Sequence, residues 1–275
     1  MPSKITLMML AERDLFLPKF TGHIARALFL HSINRVNPSL AQRLHQPNAL
    51  KPYTVEPLYF RSKDRSLEGY VADSSKPIKL VIKSLNDALF QEITKYLSSA
   101  RTLMIRDVTL FLQGAHIQTL DYDSIMKNSE DVSELELNFV TPTYLSDSRS
   151  EYFSLFPEPR RLFMNLLRIW NSFSPIKIEK SEYMRYWRWL EEKVGVNMYY
   201  LNTVPIEVER LKAKVGFVGS IGYVFKEHSY SRLTDALVRF SEFSNVGGGR
   251  TSGMGVVKVT RRKVCQKNTD KNINA

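Results

Sequence analysis

The order in which the apolar periodicity of this chain changes is its strongest constraint, because that order occurs twice. A β-compatible run at Ile5 to Leu10 gives way to helical spacing over Phe20 to Val36, with Ile24, Leu28 and Phe29 on the apolar side. Short strands are predicted after a polar loop, at Val55 to Phe60 and Ile78 to Ile82, with the charged turn Arg61 to Glu68 between them. A helix over Leu85 to Leu97 and a final strand or hairpin within Thr102 to Leu120 complete the order βαββαβ, that of a ferredoxin-like unit.

The second half reads the same way. Leu135, Leu137 and Phe139 alternate with Glu134, Glu136 and Asn138, which predicts a strand with one buried face. Leu162, Phe163, Leu166, Leu167 and Trp170 form a helical stripe, with Arg161 and Arg168 on the outer side. Glu182 to Val194 reads as an inserted helix. Strands are expected at Val204 to Val208 and Val215 to Phe225, a helix from Ser231 to Phe243, and a last strand from Gly255 to Val259. The expected fold class is α+β, two tandem ferredoxin-like (RRM-like) domains at 1–124 and 133–265. The polar, aperiodic DYDSIMKNSEDV around Tyr122 to Val132 reads as their linker, and 266–275 as a disordered tail. The duplication is one of element order, since no sequence repeat is visible.

With 275 residues and 43% hydrophobic content, two domain-sized cores can be buried without a folding staple. The balance of 39 Lys and Arg against 28 Asp and Glu leaves +11, which favours a polyanionic partner held through phosphate contacts and counterion release. Many basic proteins bind nothing anionic, so charge alone does not choose. Cys265 is the single cysteine. It excludes an intramolecular disulfide and a multi-cysteine zinc cluster, and it fits a reducing cytoplasm. The apolar run in MPSKITLMMLAERD is too short for a secretory core, and no stretch approaches a membrane span, so a soluble cytoplasmic protein without a membrane partner is expected.

The sharpest local feature is Gly247, Gly248 and Gly249, then Arg250, Thr251, Ser252, Gly253, Met254 and Gly255, between a predicted helix and a β-branched strand. Glycine lets a phosphate or RNA backbone approach the amides closely, and Arg250, Thr251 and Ser252 can donate hydrogen bonds. A mobile loop, or a tight one required only for close packing, explains the glycines as well. No Gly-Lys-Ser/Thr follows and a strand comes next, so this is not a nucleotide-hydrolysing phosphate loop.

The stretch SNVGGGRTSGMGVVKV resembles the C-terminal glycine-rich signature of the CRISPR-associated repeat-RNA endoribonucleases, the sixth Cas family of the repeat-associated RNA-binding superfamily. LHSINRVNPSLAQRLHQPNALKPYTVEPLYF is similar to that family's first helix and following loop, with a histidine, a spacer and a Lys-Pro-aromatic-Thr run. LNFVTPTYL and AKVGFVGSIGYVF resemble the first and third strands of its second domain. The resemblance implies cleavage of precursor CRISPR RNA within its repeats, with no metal and no other cofactor. In that chemistry a ribose 2′-hydroxyl attacks the adjacent phosphate, giving a 2′,3′-cyclic phosphate and a 5′-hydroxyl.

By position, His45 in RLHQPNALKP matches the family histidine, and imidazole as a chemical type exchanges a proton near neutral pH. The loop around it, with Gln46, Pro47 and Asn48, argues for exposure. Lys51 matches the lysine that some members use beside the histidine, where it would stabilise the scissile phosphate. Some members carry a tyrosine fifteen residues before the histidine, and here that position is Leu30. The adjacent His31 is a candidate replacement, although on a largely apolar helix it reads better as a packed core histidine. Arg26 and His23 share that helix and could face the cleft; His116 and His228 are isolated and read as structural or surface residues.

The candidate RNA contacts are Gly247, Gly248, Gly249, Arg250, Thr251, Ser252, Gly253 and Gly255, with Arg160, Arg161 and Arg168 on the helix of the Leu162 to Trp170 stripe. A solvated polar face accounts equally well for any one of those arginines. In Arg185, Tyr186, Trp187, Arg188 and Trp189 the two tryptophans cannot share one helix face, so at least one is expected to pack inside. Expected partners are CRISPR repeat RNA, other effector-complex subunits and a second copy of the chain. The alternative function is a non-cleaving RNA-binding subunit of an effector complex; His45 and Lys51 argue against it and the missing tyrosine keeps it open. A generic basic ferredoxin-like RNA-binding module would require the glycine loop to be a coincidence.

Overall fold

Along β1 (Ser3–Ala11), Ile5, Leu7 and Met9 are buried, so one face of this strand meets the core. The elements that follow are β2 (Leu15–Pro18), α1 (Gly22–Val36), α2 (Pro38–His45), β3 (Tyr53–Val55), β4 (Ser62–Arg65), β5 (Gly69–Ala72) and β6 (Ile78–Ser84). Then come α3 (Asp87–Ser99), β7 (Thr102–Ile105) and β8 (Val108–Thr119). This computed structural model describes residues 1–47, 49–146, 150–206 and 214–265. The first sheet has the antiparallel order β3-β6-β1-β8-β7, which is the ferredoxin-like arrangement with β7 added at one edge. Helix α1 buries Ala25, Leu28, Phe29 and Ile33, and the Phe29 ring lies 4.5 Å from that of Tyr53.

The expected strand at Val55 to Phe60 is displaced and shorter: β3 ends at Val55, and Tyr59 returns only as a single bridge to Lys79. Pro57 explains the break, because it cannot donate to a ladder. Within the expected turn Arg61 to Glu68, β4 joins a small sheet of order β2-β5-β4. Part of the expected polar loop is α2, whose first turn is fixed by Asn37, the Oδ1 of which accepts from the Leu40 N–H at 3.0 Å, and by Pro38 at its start.

The second half contains α4 (Tyr122–Lys127), β9 (Val132–Thr143), β10 (Leu145–Ser146), β11 (Phe153–Ser154), α5 (Pro159–Phe173) and α6 (Lys180–Lys193). It continues through β12 (Val194–Ile206), β13 (Lys214–Phe225), α7 (Ser231–Ser244), a short 3-10 turn at Arg250–Ser252 and β14 (Val257–Val264). Its sheet order, β12-β13-β9-β14, repeats the ferredoxin-like arrangement, so the fold is two tandem units of this kind. The strand expected at Val204 is the end of a strand that starts ten residues earlier at Val194, directly after α6; residues 207 and 208 lie outside the described residues. The expected tail at 266–275 lies outside them too.

The expected linker is an ordered helix. Asp121 caps α4 by accepting from the Ser124 N–H at 2.9 Å, and Tyr122 and Ile125 are buried in the second core. Tyr122 packs there against Trp170 and Phe240 and donates its hydroxyl to Leu85 O at 2.9 Å. Of the two tryptophans on α6, Trp189 is buried, whereas Trp187 lies under the Arg160 guanidinium at 5.0 Å.

Buried polar groups join the halves. Lys83 on β6, 1% exposed, donates to Glu56 Oε1 at 2.7 Å and to Asn245 Oδ1 at 2.8 Å. Glu56 Oε1 also lies 3.4 Å from Lys4 Nζ, and its Oε2 accepts from the Tyr59 hydroxyl at 2.6 Å. Asn245, at the end of α7 with φ +52°, donates to Val55 O at 3.2 Å and to Met254 O at 3.1 Å. With every member bonded, the network ties both domains to the chain just before the glycine loop.

Candidate functional site

Helix α2 ends at His45, whose side chain is exposed. The last carbonyls of a helix lack intrahelical partners, and a cation there is favourable. Lys51 supplies one: its ammonium donates to Arg43 O at 3.2 Å, in the final turn before His45. Burial pushes the Lys51 ammonium below its ordinary value, and the Arg26 charge adds to that. Arg26 comes from α1. Its guanidinium also sits beside Tyr53, whose hydroxyl is fully buried, is raised by that burial, and lies next to Thr251 of the glycine loop.

The glycine loop closes this cluster from the second domain. Gly247, Gly249, Gly253 and Gly255 all have positive φ, between +67° and +81°. A β-carbon on Gly22, at the start of α1, would stand 2.0 Å from Ser252 O, and one on Gly253 would stand 2.9 Å from the Gly22 Cα. The loop is therefore pressed against the first domain, where Gly253 is buried, and Gly255 is buried against Val246 of its own domain, so neither is offered to a ligand. Gly247, Gly248, Gly249, Thr251 and Ser252 are partly exposed. Arg250 departs from the expectation of a surface donor. It is 5% exposed, and its guanidinium donates inward to Ser244 O at 2.6 Å and to Lys51 O at 3.4 Å. Burial pulls it down to about 10, with the Arg168 charge as a second cause.

The remaining candidates divide. His31 is exposed, not packed in the core. At ~100° per residue it lies about 140° around α1 from Arg26, so the helix does not bring it to Lys51. Leu30 shares the Arg26 face instead, as an i, i+4 neighbour. Arg160 lies 3.2 Å from Glu191 and 3.5 Å from Glu158, and Arg161 donates to Glu158 at 2.8 Å, so both enter α5 already paired. Such exposed pairs are weak and leave the arginines exchangeable. Arg168 is exposed, and it is the member of the three whose charge reaches Arg250. His116 is exposed on β8, and His228 Nδ1 lies 3.6 Å from Cys265 Sγ. The sequence placed Arg26 on α1 as a residue that could face the cleft and did not single out Tyr53, although Tyr53 is the aromatic residue of the Lys-Pro-aromatic-Thr run.

Among the described residues, no carboxylate pairs with Arg26, Lys51 or Arg250. Among those residues, no group of three or more His, Cys, Asp or Glu is placed to hold a metal ion, and no helix is long and apolar enough to cross a membrane. The site is a cation-rich junction of α1, the α2–β3 connection and the glycine loop. It suits an anion with several oxygens, because Coulomb attraction and hydrogen bonding both strengthen away from bulk water.

Comparison with known proteins agrees with this architecture. The family model described as CRISPR-associated endoribonuclease Cas6 matches residues 137–257, and that of the CRISPR Cas6 N-terminal domain matches residues 1–102. A solved Cas6 product complex is similar with a TM-score of 0.77 at 22% identity, covering 94% of this chain and 99% of the other. Cas6 of Thermus thermophilus gives a TM-score of 0.71 at 22% identity, with 94% and 98% covered. A Cas6-related protein of Pyrococcus furiosus gives 0.64 at 14% identity, again with 94% and 98% covered. At these identities the likeness is one of fold. No curated protein sequence matches the chain.

Proposed function

We propose that this chain, which belongs to the family of CRISPR-associated Cas6 endoribonucleases, cuts precursor CRISPR RNA within its repeats without a metal ion, using His45 and Lys51. The observation that carries this reading is the meeting of Lys51 and Arg26 from two segments, with no carboxylate partner among the described residues, beside the helix end that presents His45. A scissile phosphate is the anion that such a cluster would accept.

The 2′-oxygen forms a bond to phosphorus as its proton leaves, and the bond from phosphorus to the 5′-oxygen breaks as that oxygen gains a proton. The products are a 2′,3′-cyclic phosphate and a 5′-hydroxyl. His45 carries one of these two proton transfers, being exposed and free of a structural task in the core. The Lys51 ammonium, in the same connection and supported by Arg26, stabilises the charge that develops on the phosphorane. Residues 1–124 thus supply the reacting groups, and 133–265 supply the glycine-loop clasp and Arg168 as an RNA contact. The reaction belongs to the cytoplasm, and effector-complex subunits are the proposed further partners.

Incubating the protein with end-labelled repeat RNA in EDTA tests this reading. Wild-type RNA should be cut at one position, and RNA with a 2′-deoxy substitution at that position should be bound but left intact. Tight binding of both RNAs with no cut would make the chain a binding subunit instead.

A further inference from the structure

We infer that Arg250 is a positioning residue, whose buried guanidinium fixes the backbone of Lys51 and, through Lys51, the end of α2 that presents His45. The inference rests on the reading of Lys51 and His45 given above. Arg250 is 5% exposed, so it is closed off from an RNA lying on the surface. Its Nη1 donates to Ser244 O at 2.6 Å, on the last residue of α7, and its Nη2 to Lys51 O at 3.4 Å, across 199 positions of sequence. The planar fork therefore spans from one domain to the other.

A buried cation held by carbonyl oxygens alone is costly, and an apolar side chain of similar length would fill the same space without that cost. The guanidinium is distinguished by its fixed multi-donor geometry, which a hydrocarbon or an ammonium cannot copy. The loop is shaped for this purpose. Gly249 at φ +67° and Gly253 at φ +81° bracket the 3-10 turn that holds Arg250. On the C-terminal side of Lys51 the backbone is already fixed, since Pro52 O accepts from the Leu85 N–H at 2.8 Å and Tyr53 opens β3. On its other side Ala49 and Leu50 are exposed, and the Arg250 contact anchors the chain where that exposed stretch ends. Lys51 then passes the constraint on, with its ammonium 3.2 Å from Arg43 O in the last turn of α2.

The test is a double-mutant cycle in single-turnover cleavage at saturating repeat RNA, using the full chain as wild type, Arg250→Met, Lys51→Ala and the double variant. Affinity is measured in parallel with 2′-deoxy repeat RNA. Arg250→Met should slow cleavage about ten-fold or more while affinity stays within about three-fold, because the loss falls on the chemical step. In the Lys51→Ala background, Arg250→Met should add less than about two-fold, since its route to the site is already gone. Full multiplication of the two losses, or an affinity loss equal to the rate loss, would overturn the inference. Should Arg250→Met fail to fold, Arg250→Lys enters the same cycle, as it keeps the charge and lacks the fork. A Lys51→Ala protein that cleaves at the wild-type rate would instead remove the reading on which the inference stands.

Discussion

Glu56→Ala is expected to lower folding stability by about 3–5 kcal/mol, the range for removing one partner of a buried ion pair. Glu56 and Lys83 are 5% and 1% exposed and 2.7 Å apart, so the substitution leaves the Lys83 ammonium enclosed without its ion-pair partner, with Asn245 Oδ1 still accepting from it. The Tyr59 hydroxyl loses its acceptor as well. Acid should expose the same dependence. Burial alone would raise the Glu56 carboxyl, but the Lys83 and Lys4 charges and the Lys83 and Tyr59 hydrogen bonds bring it down from 4.5 to about 2. With the folded value below the unfolded one, this stabilisation is complete above pH 4.5 and is lost as pH falls towards about 2. Urea unfolding at pH 7 should show the deficit. The gap between wild type and Glu56→Ala should narrow on descending through that window, and an unchanging gap would count against the ion pair as its origin.

His45→Ala should slow single-turnover cleavage about 10²–10⁴-fold, the usual contribution of one general acid or base. Affinity for the repeat and the urea midpoint should stay close to wild type, because the side chain is exposed at the end of α2 and holds nothing in the core. His31→Ala and His116→Ala, exposed on other faces, are the controls and should cut at the wild-type rate. Quenched time courses at saturating protein separate the rate from binding.

Much of this architecture was legible from alternation and helical spacing alone. β1, α1, β6, α3, β9, α5, β13 and α7 stand within a few residues of where those patterns put them. The missed elements failed for identifiable reasons. Helix α2 is short, but Asn37-Pro38 is a capping residue followed by proline at the first helical position, a signal present in the sequence. α4 hides two inward residues, Tyr122 and Ile125, among polar ones, and so few turns show no period. β12 follows α6 directly, and Gly195 and Asn197 weaken the strand signal at its start, so only its far end was expected.

The site was less legible than the fold, because contacts between segments far apart in sequence define it. The glycine loop was visible as composition. Its packing on Gly22, and the inward turn of Arg250, depend on the second domain docking on the first. The Glu56–Lys83–Asn245 network has no local signature either, since its members lie far apart and each reads as a surface residue in isolation.

A scissile phosphate bound as proposed lies between the α2–β3 connection and the glycine loop, and photo-cross-linking measures that placement directly. Repeat RNA with a 2′-deoxy substitution at the cut site and a photoreactive nucleotide beside it would be bound, irradiated and mapped by peptide mass spectrometry. Adducts within residues 43–53 and at Thr251 or Ser252 are the predicted result. Adducts confined to the outer face of α6 or to the β7–β8 hairpin would contradict it.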